Sequence, residues 1–144
     1  MSDPESRLAE LGLELPRPTG PAANYVPFVK SGGLIYISGQ VSIDAAGGVR
    51  GVVGEDVDFE TARRAARICG LNLIAQMKAA LGGDLWRLRR IVRLGAFVQA
   101  GPGFFDIPQV VNGCSDLMVD VFGEAGRHCR AGRARPRQDR EGRC

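Results

Sequence analysis

The chain has 144 residues, 44% of them hydrophobic, and a formal net charge of +3. That length and composition suit one soluble domain with its own core, and no apolar run approaches the roughly 18 residues of a bilayer-spanning helix. The opening Met1-Ser2-Asp3-Pro4-Glu5 is acidic where a secretory leader is basic and then apolar, so a cytoplasmic location with no membrane partner is expected.

The charge is unevenly spread. Residues 127–144 hold seven of the 19 basic side chains and two of the 16 acidic ones, a balance of +5, which leaves 12 basic against 14 acidic elsewhere, a balance of −2. The basic character therefore belongs to the end of the chain, and the body carries no nucleic-acid footprint. Cys69, Cys114, Cys129 and Cys144 show no C-x-x-C spacing and only one His is present, which leaves little to build a His/Cys metal site. Reduced thiols are the expectation, with Cys69 and Cys114 in helix cores.

In chain order, residues 4–13 predict a short helix, with Ser2 or Asp3 as N-cap, Pro4 in its first turn and Leu8 and Leu11 on one face. Pro16, Pro18, Gly20 and Pro21 then form an extended lead-in. Residues 25–30 have strand composition, but Pro27 cannot donate to a ladder, which makes this an edge strand or a bulged one. Ser31-Gly32-Gly33 turns the chain into Leu34-Ile35-Tyr36-Ile37-Ser38-Gly39-Gln40, a β-branched and aromatic run ending on small polar residues. The two segments predict a β-hairpin, the second strand central in its sheet and buried on at least one face, with its Gly-Gln end forming the lip of a pocket. Residues 44–54 are Gly-rich and predict a surface excursion with a short strand around residues 49–53.

Asp58 caps the longest predicted helix, residues 59–81, whose Ala62, Ala66, Cys69, Leu73, Met77 and Ala80 recur every three or four positions. Gly82-Gly83 stops it, and Arg63, Arg64, Arg67 and Lys78 form its solvated face. Residues 84–88 predict one further helical turn and residues 91–100 a strand containing Ile91, Leu94, Phe97 and Val98. A second helix over residues 107–122 turns Val110, Cys114, Leu117, Met118 and Val121 inward and closes at Gly123, with Asn112 and Asp116 on its wet face. Beyond Arg127 the pattern is lost. Residues 131–144 predict a disordered Arg-rich tail outside the domain of residues 1–130, which leaves the second helix without the strand that normally follows it in an α+β layer.

The stretch around Tyr25-Val26-Pro27-Phe28-Val29, the string Ile35-Tyr36-Ile37-Ser38-Gly39-Gln40, the Val111-Asn112 pair and His128-Cys129-Arg130 resemble the RidA/YjgF family, also labelled "endoribonuclease L-PSP" or "translation initiation inhibitor". The resemblance covers roughly residues 21–130 and indicates a divergent branch. It implies a chorismate-mutase-like α+β fold, with a mixed β-sheet packed against two helices, assembling as a homotrimer with small-molecule clefts between subunits. It also implies hydrolysis of 2-iminoalkanoates, reactive products of pyridoxal-phosphate enzymes, to a 2-keto acid and ammonia. Matched position by position, Arg130 grips the substrate carboxylate, Tyr25 is the cleft tyrosine and Gly39 lies at the pocket strand end; Gln40 and Asn112 complete the substrate-binding set. In the family, residues after the matched Arg supply a further strand and an acidic residue that positions water. This chain departs there, and if it exists as written, the loss of a central strand with its hydrogen bonds and the apolar area beneath it predicts a poorly folded or non-trimeric product.

One back-translation of residues 135–144, shifted by one base, reads Gly-Leu-Ala-Lys-Thr-Val-Lys-Val-Asp-Ala, which is similar to a family ending and suggests a frameshift. A nucleotide sequence whose neighbouring frame cannot encode a Val-rich strand would remove that idea. Among the other polar residues, His128 reads as a loop or interface His, and Cys129 either belongs to the pocket neighbourhood or is a by-product of the altered frame. Two further function classes stand beside the deaminase: a non-catalytic, small-carboxylate-binding regulatory trimer and an RNA-interacting inhibitor of translation. For the last, an Arg tail without stacking aromatics gives only salt-sensitive attraction, and no His pair or carboxylate cluster suited to RNA cleavage is visible.

Overall fold

The computed structural model describes residues 2–18, 20 and 23–135. Two long helices form its centre. α2 (Phe59–Ala80) and α3 (Ile107–Phe122) pack side by side, and Ile74, Leu117 and Met118 between them are fully buried. Their close approach depends on two glycines. A Cβ on Gly113 of α3 would strike the backbone carbonyl of Arg63 in α2, and one on Gly70 of α2 would meet Leu117 at 2.9 Å and Cys114 Sγ at 3.1 Å. α2 begins as its sequence requires, with the Thr61 N–H donating to Asp58 Oδ1 at 2.7 Å, and it ends before Gly82 and Gly83, both at positive φ. Its buried face is Ala62, Gly70, Ile74, Ala75, Gln76, Met77 and Ala80, while the expected Ala66, Cys69 and Leu73 are half-buried. α3 has its expected bounds and core residues, and Gly123 at φ 58° follows it.

α1 (Pro4–Glu10) is three residues shorter than expected because Gly12 turns into left-handed backbone at φ 67° and lets the Leu13 N–H reach back to the Leu8 carbonyl. Asp3 is its cap, accepting from the Ser6 N–H. Three of the four cations expected on a solvated helix face instead join elements: Arg63 to Asp116 and Arg67 to Asp120 across the α2/α3 groove, and Lys78 to Glu5 of α1. All six side chains are at least a third exposed, so these pairs set register more than they add stability.

The hairpin forms as the sequence implies. β1 (Phe28–Ser31) pairs antiparallel with β2 (Leu34–Ile37) through Gly32 and Gly33, both at positive φ. Pro27 lies just outside the strand, yet its carbonyl still accepts from the Ser38 N–H. Among the described residues β2 has β1 as its only strand partner, so it is an edge where a central strand was expected; Ile35 and Ile37 face inward while Leu34 and Tyr36 stay exposed. The Gly-rich excursion contains the small hairpin β3 (Ile43–Asp44) and β4 (Gly47–Gly48), held to α2 by the Asn72 amide, which donates to the Val41 and Ile43 carbonyls. The excursion is not all surface. Val52 and Val53 are buried, and Val53 bridges to Ala100.

A 3₁₀ turn at Leu85–Arg87, capped by Asp84, leads to β5 (Arg93–Gln99), and another at Gly123–Gly126 leads to β6 (Cys129–Arg135). β6 corrects the sequence reading: residues 129–135 do not hang free but pair parallel with β5, so a strand does follow α3. Backbone groups supply that ladder whatever the side chains are, and Gly132 leaves room beneath Ile107 and Val111 of α3. The rest of the expected tail, residues 136–144, lies outside the described residues, as does Pro21 of the lead-in. The architecture is thus mixed α+β, with β1 and β2 against α2 and β5 and β6 against α3. None of the described helices is long and apolar enough to cross a membrane.

Candidate functional site

Strand parity decides where Arg130 points. In the parallel register it pairs with Leu94, which is buried against the helices, so its side chain is delivered to α3 while Cys129, Ala131 and Arg133 are exposed on the other side. α3 meets it with a stripe at helical spacing, Pro108, Asn112 and Ser115. Arg130 Nη1 donates to Asn112 Oδ1 at 2.6 Å and to Ser115 Oγ at 3.0 Å, and Nη2 donates to the Pro108 carbonyl at 3.2 Å. The Asn112 amide is set for this by Gln109, whose Oε1 accepts from Asn112 Nδ2 at 3.0 Å. All three acceptors of Arg130 are neutral, and among the described residues no carboxylate is paired with it. Asp116, the nearest acidic residue along α3, is held by Arg63 at 2.8 Å. The guanidinium is therefore oriented but not neutralised.

The network continues beyond Arg130. Ser115 Oγ lies 3.1 Å from His128 Nε2, and His128 Nδ1 lies 2.6 Å from the Gly126 carbonyl. A carbonyl only accepts, so Nδ1 carries the proton and donates to Gly126; in the neutral ring Nε2 is then bare and accepts from the Ser115 hydroxyl. His128 lies, as expected, in a loop, between the 3₁₀ turn at Gly123–Gly126 and β6, where it is half-buried with a partner at both ring nitrogens. Ser115, Asp116, Val119, Arg127, His128 and Arg130 together line an open cleft of about 280 Å³.

The positive charge of Arg130 is felt inside α3. Burial pushes the Cys114 thiol up to about 12, the neighbouring Cys69 adds to the rise, and Arg130 opposes it. Burial likewise raises Cys69 to about 11. Cys69, Cys114 and Cys129 are free thiols, and no group of three or more His, Cys, Asp or Glu among the described residues could hold a metal ion.

Of the five expected binding residues, one subunit brings together two, Arg130 and Asn112. Tyr25 and Gly39 are exposed beside the β1–β2 hairpin, and Gln40 is half-buried with Nε2 on the Ser38 carbonyl at 3.0 Å. No hydrogen bond joins these three to Arg130, since their hairpin packs on α2 and β6 packs on α3. Ser115 and His128 escaped the sequence reading as site residues. The available signal was the i, i+3 spacing of Asn112 and Ser115 on the polar side of α3.

This arrangement has relatives. The family model described as "YjgF/chorismate mutase-like, putative endoribonuclease" matches residues 5–144. The chain belongs to the YjgF family. The match runs past Arg130, where the sequence resemblance stopped, to residue 144. Protein TCP17 of Trypanosoma cruzi is 43% identical over 127 residues, 87% of this chain and 79% of that protein. The crystal structure of Atu1372, a protein of unknown function from Agrobacterium tumefaciens, is 48% identical with a TM-score of 0.82, covering 91% of this chain and 83% of that one. That of a "putative endoribonuclease" from Shewanella oneidensis MR-1 superposes with a TM-score of 0.90 at 35% identity, covering 96% of this chain and 91% of that one. The YjgF fold is thereby established for this chain, and its helices and small sheets are those of the family.

Proposed function

We propose that this YjgF-family chain is a hydrolytic deaminase of 2-iminoalkanoates, releasing a 2-keto acid and ammonia without a metal or cofactor. The observation that carries the proposal is Arg130, an oriented guanidinium with only neutral partners at the wall of a small open cleft. A planar carboxylate fits such a fork in two parallel hydrogen bonds, which a Lys could not match. Once the carboxylate is fixed, the imine carbon needs only a positioned water and proton transfer, because the imine is already reactive.

A homotrimer fits the same reading. Val29, Tyr36 and Phe97 stand 51, 59 and 72% exposed on the outward sides of their strands, an apolar surface suited to burial against another copy. In such an assembly Tyr25, Gly39 and Gln40 of one subunit would complete the cleft of the next. A cytoplasmic setting, where the imine-generating enzymes work, agrees with this chemistry.

The test is a coupled assay with threonine, threonine dehydratase and this protein. Faster decay of 2-iminobutanoate, abolished by Arg130→Ala, is the expected result; decay no faster than without the protein would refute the deaminase. Binding of 2-ketobutyrate without turnover would favour a regulatory carboxylate-binding trimer instead.

A further inference from the structure

The cleft contains a proton path that Arg130 does not need for holding a carboxylate. Ser115 Oγ accepts from Arg130 Nη1 at 3.0 Å and donates to His128 Nε2 at 3.1 Å, and the ring is locked in the accepting tautomer by Nδ1 donating to the Gly126 carbonyl at 2.6 Å. A hydroxyl that merely packed would not require a basic nitrogen in line behind it. A His needed only for the loop would not require its second nitrogen aimed into the cleft. Both side chains are half-buried and both line the cavity.

We infer that Ser115 and His128 form a proton relay that activates the hydrolytic water, an inference that rests on the deaminase reading. Arg130 holds the carboxylate of the imino acid, which sets the adjoining imine carbon beside the Ser115 hydroxyl. Water adds to that carbon: the C–O bond forms, the π pair of the C=N bond moves to nitrogen, and the water proton passes to Ser115 Oγ as the Ser115 proton passes to His128 Nε2. The imidazolium returns its proton through Ser115 to the nitrogen. The hydroxyl of the resulting carbinolamine then gives its proton through Ser115 to His128, which returns it to the nitrogen; the C–N bond breaks with its electron pair on that nitrogen, ammonia leaves, and the oxygen lone pair closes the C=O of the keto acid. One imine and one water give one keto acid and one ammonia. Ser115 is the residue at the substrate, and His128 is a positioning residue acting through it.

The charged groups around the ring leave Nε2 free for this task. From α3, Asp116 is engaged by Arg63; from the 3₁₀ turn before β6, Glu124 is engaged by Arg127; and Arg130 meets the ring only through Ser115. No carboxylate is hydrogen-bonded to His128 among the described residues, so the Ser115 hydroxyl is its partner in the cleft.

The test uses the full chain and two variants. His128→Gln can still donate to Gly126 and accept from Ser115 but cannot take up a proton, and Ser115→Ala breaks the path while leaving Asn112 and Pro108 on Arg130. Both are expected to lower kcat for 2-iminobutanoate about 100-fold, the size of a general-base contribution. The Kd for 2-ketobutyrate should change less than threefold, and the fall of kcat/KM toward acid pH should vanish in His128→Gln. A merely structural His would show the opposite split, with affinity and melting temperature changed and the pH profile kept. Turnover by wild type together with an unchanged kcat and pH profile in His128→Gln would overturn the relay and leave the deaminase standing. A wild-type protein that does not hydrolyse the imine would overturn both.

Discussion

Arg130 Nη1 donates to Asn112 Oδ1 across 2.6 Å, so the cation of β6 is tied to α3 through an acceptor that carries no charge. The choice of an amide over a carboxylate at residue 112 governs what else the guanidinium can bind. Asn112→Asp preserves size and reach but places a permanent carboxylate on Arg130, turning a hydrogen bond from a cation to a neutral amide into an ion pair. A 2-keto acid would then have to displace that internal partner. Affinity for 2-ketobutyrate is expected to fall at least about tenfold, some 1.4 kcal/mol, with no loss in melting temperature. Titration calorimetry giving the wild-type affinity would show that Arg130 is not the carboxylate receptor.

The sequence makes both members of that pair visible and hides what surrounds them for physical reasons. α2 and α3 are legible because Asp58, Gly82 and Gly123 punctuate apolar repeats of helical period. The β1–β2 hairpin is legible because two glycines at positive φ are what its turn needs. β6 is not, since Ala131, Gly132 and Ala134 carry no hydrophobic alternation and the strand is held by backbone pairing to β5. Arg130 and Asn112 stand out through their family motifs, whereas the Ser115–His128 contact joins residues 13 positions apart on different elements, a meeting set by the turn at Gly123–Gly126.

The cysteines give a second, independent check on packing. Burial leads the rise of Cys114 to about 12 and of Cys69 to about 11, so both stay protonated at pH 8 and present almost no thiolate. Cys129 points outward from β6 and is exposed. Iodoacetamide at pH 8 is expected to alkylate Cys129 in the folded protein and to reach Cys69 and Cys114 only after denaturation, as read by peptide mass spectrometry. Equal labelling of all three would contradict the α2/α3 core.

Acid sensitivity should include the start of α2. The hydrogen bond from the Thr61 side chain is the main reason that the Asp58 carboxyl lies below its usual range; the Thr61 backbone N–H adds to it, a small burial effect opposes it, and the Arg64 charge helps. A carboxyl whose folded pKa is depressed contributes stability above its unfolded value and loses that contribution as pH falls through the folded one. Asn at this position still caps the helix but does not titrate. The melting temperature of wild type should therefore exceed that of Asp58→Asn most at neutral pH, with the gap closing as the pH drops below the ordinary carboxylate range. A gap that stays constant from pH 7 to pH 2.5 would assign the cap no electrostatic part.

Gly113 offers the sharpest test of how the site is built, because it follows Asn112 on α3 and sits where the helix meets α2. A Cβ there would collide with the Arg63 carbonyl oxygen, a backbone atom that cannot rotate away, so Gly113→Ala has to move one helix against the other. Two effects compete. Ala is favoured over Gly inside a helix by about 1 kcal/mol, whereas overpacking a closed contact costs about 1–3 kcal/mol. The clash should win because the obstacle is main chain, giving a lower urea midpoint with an unchanged m-value. Gly95 on β5 is the control, with nothing within 4 Å of its Cβ position, and Gly95→Ala should stay within about 0.5 kcal/mol of wild type. The same displacement would carry Asn112 and Ser115 away from Arg130, so Gly113→Ala should also weaken 2-ketobutyrate binding while Gly95→Ala does not. A Gly113→Ala protein as stable as wild type and with its affinity intact would mean that α2 and α3 do not cross at this contact.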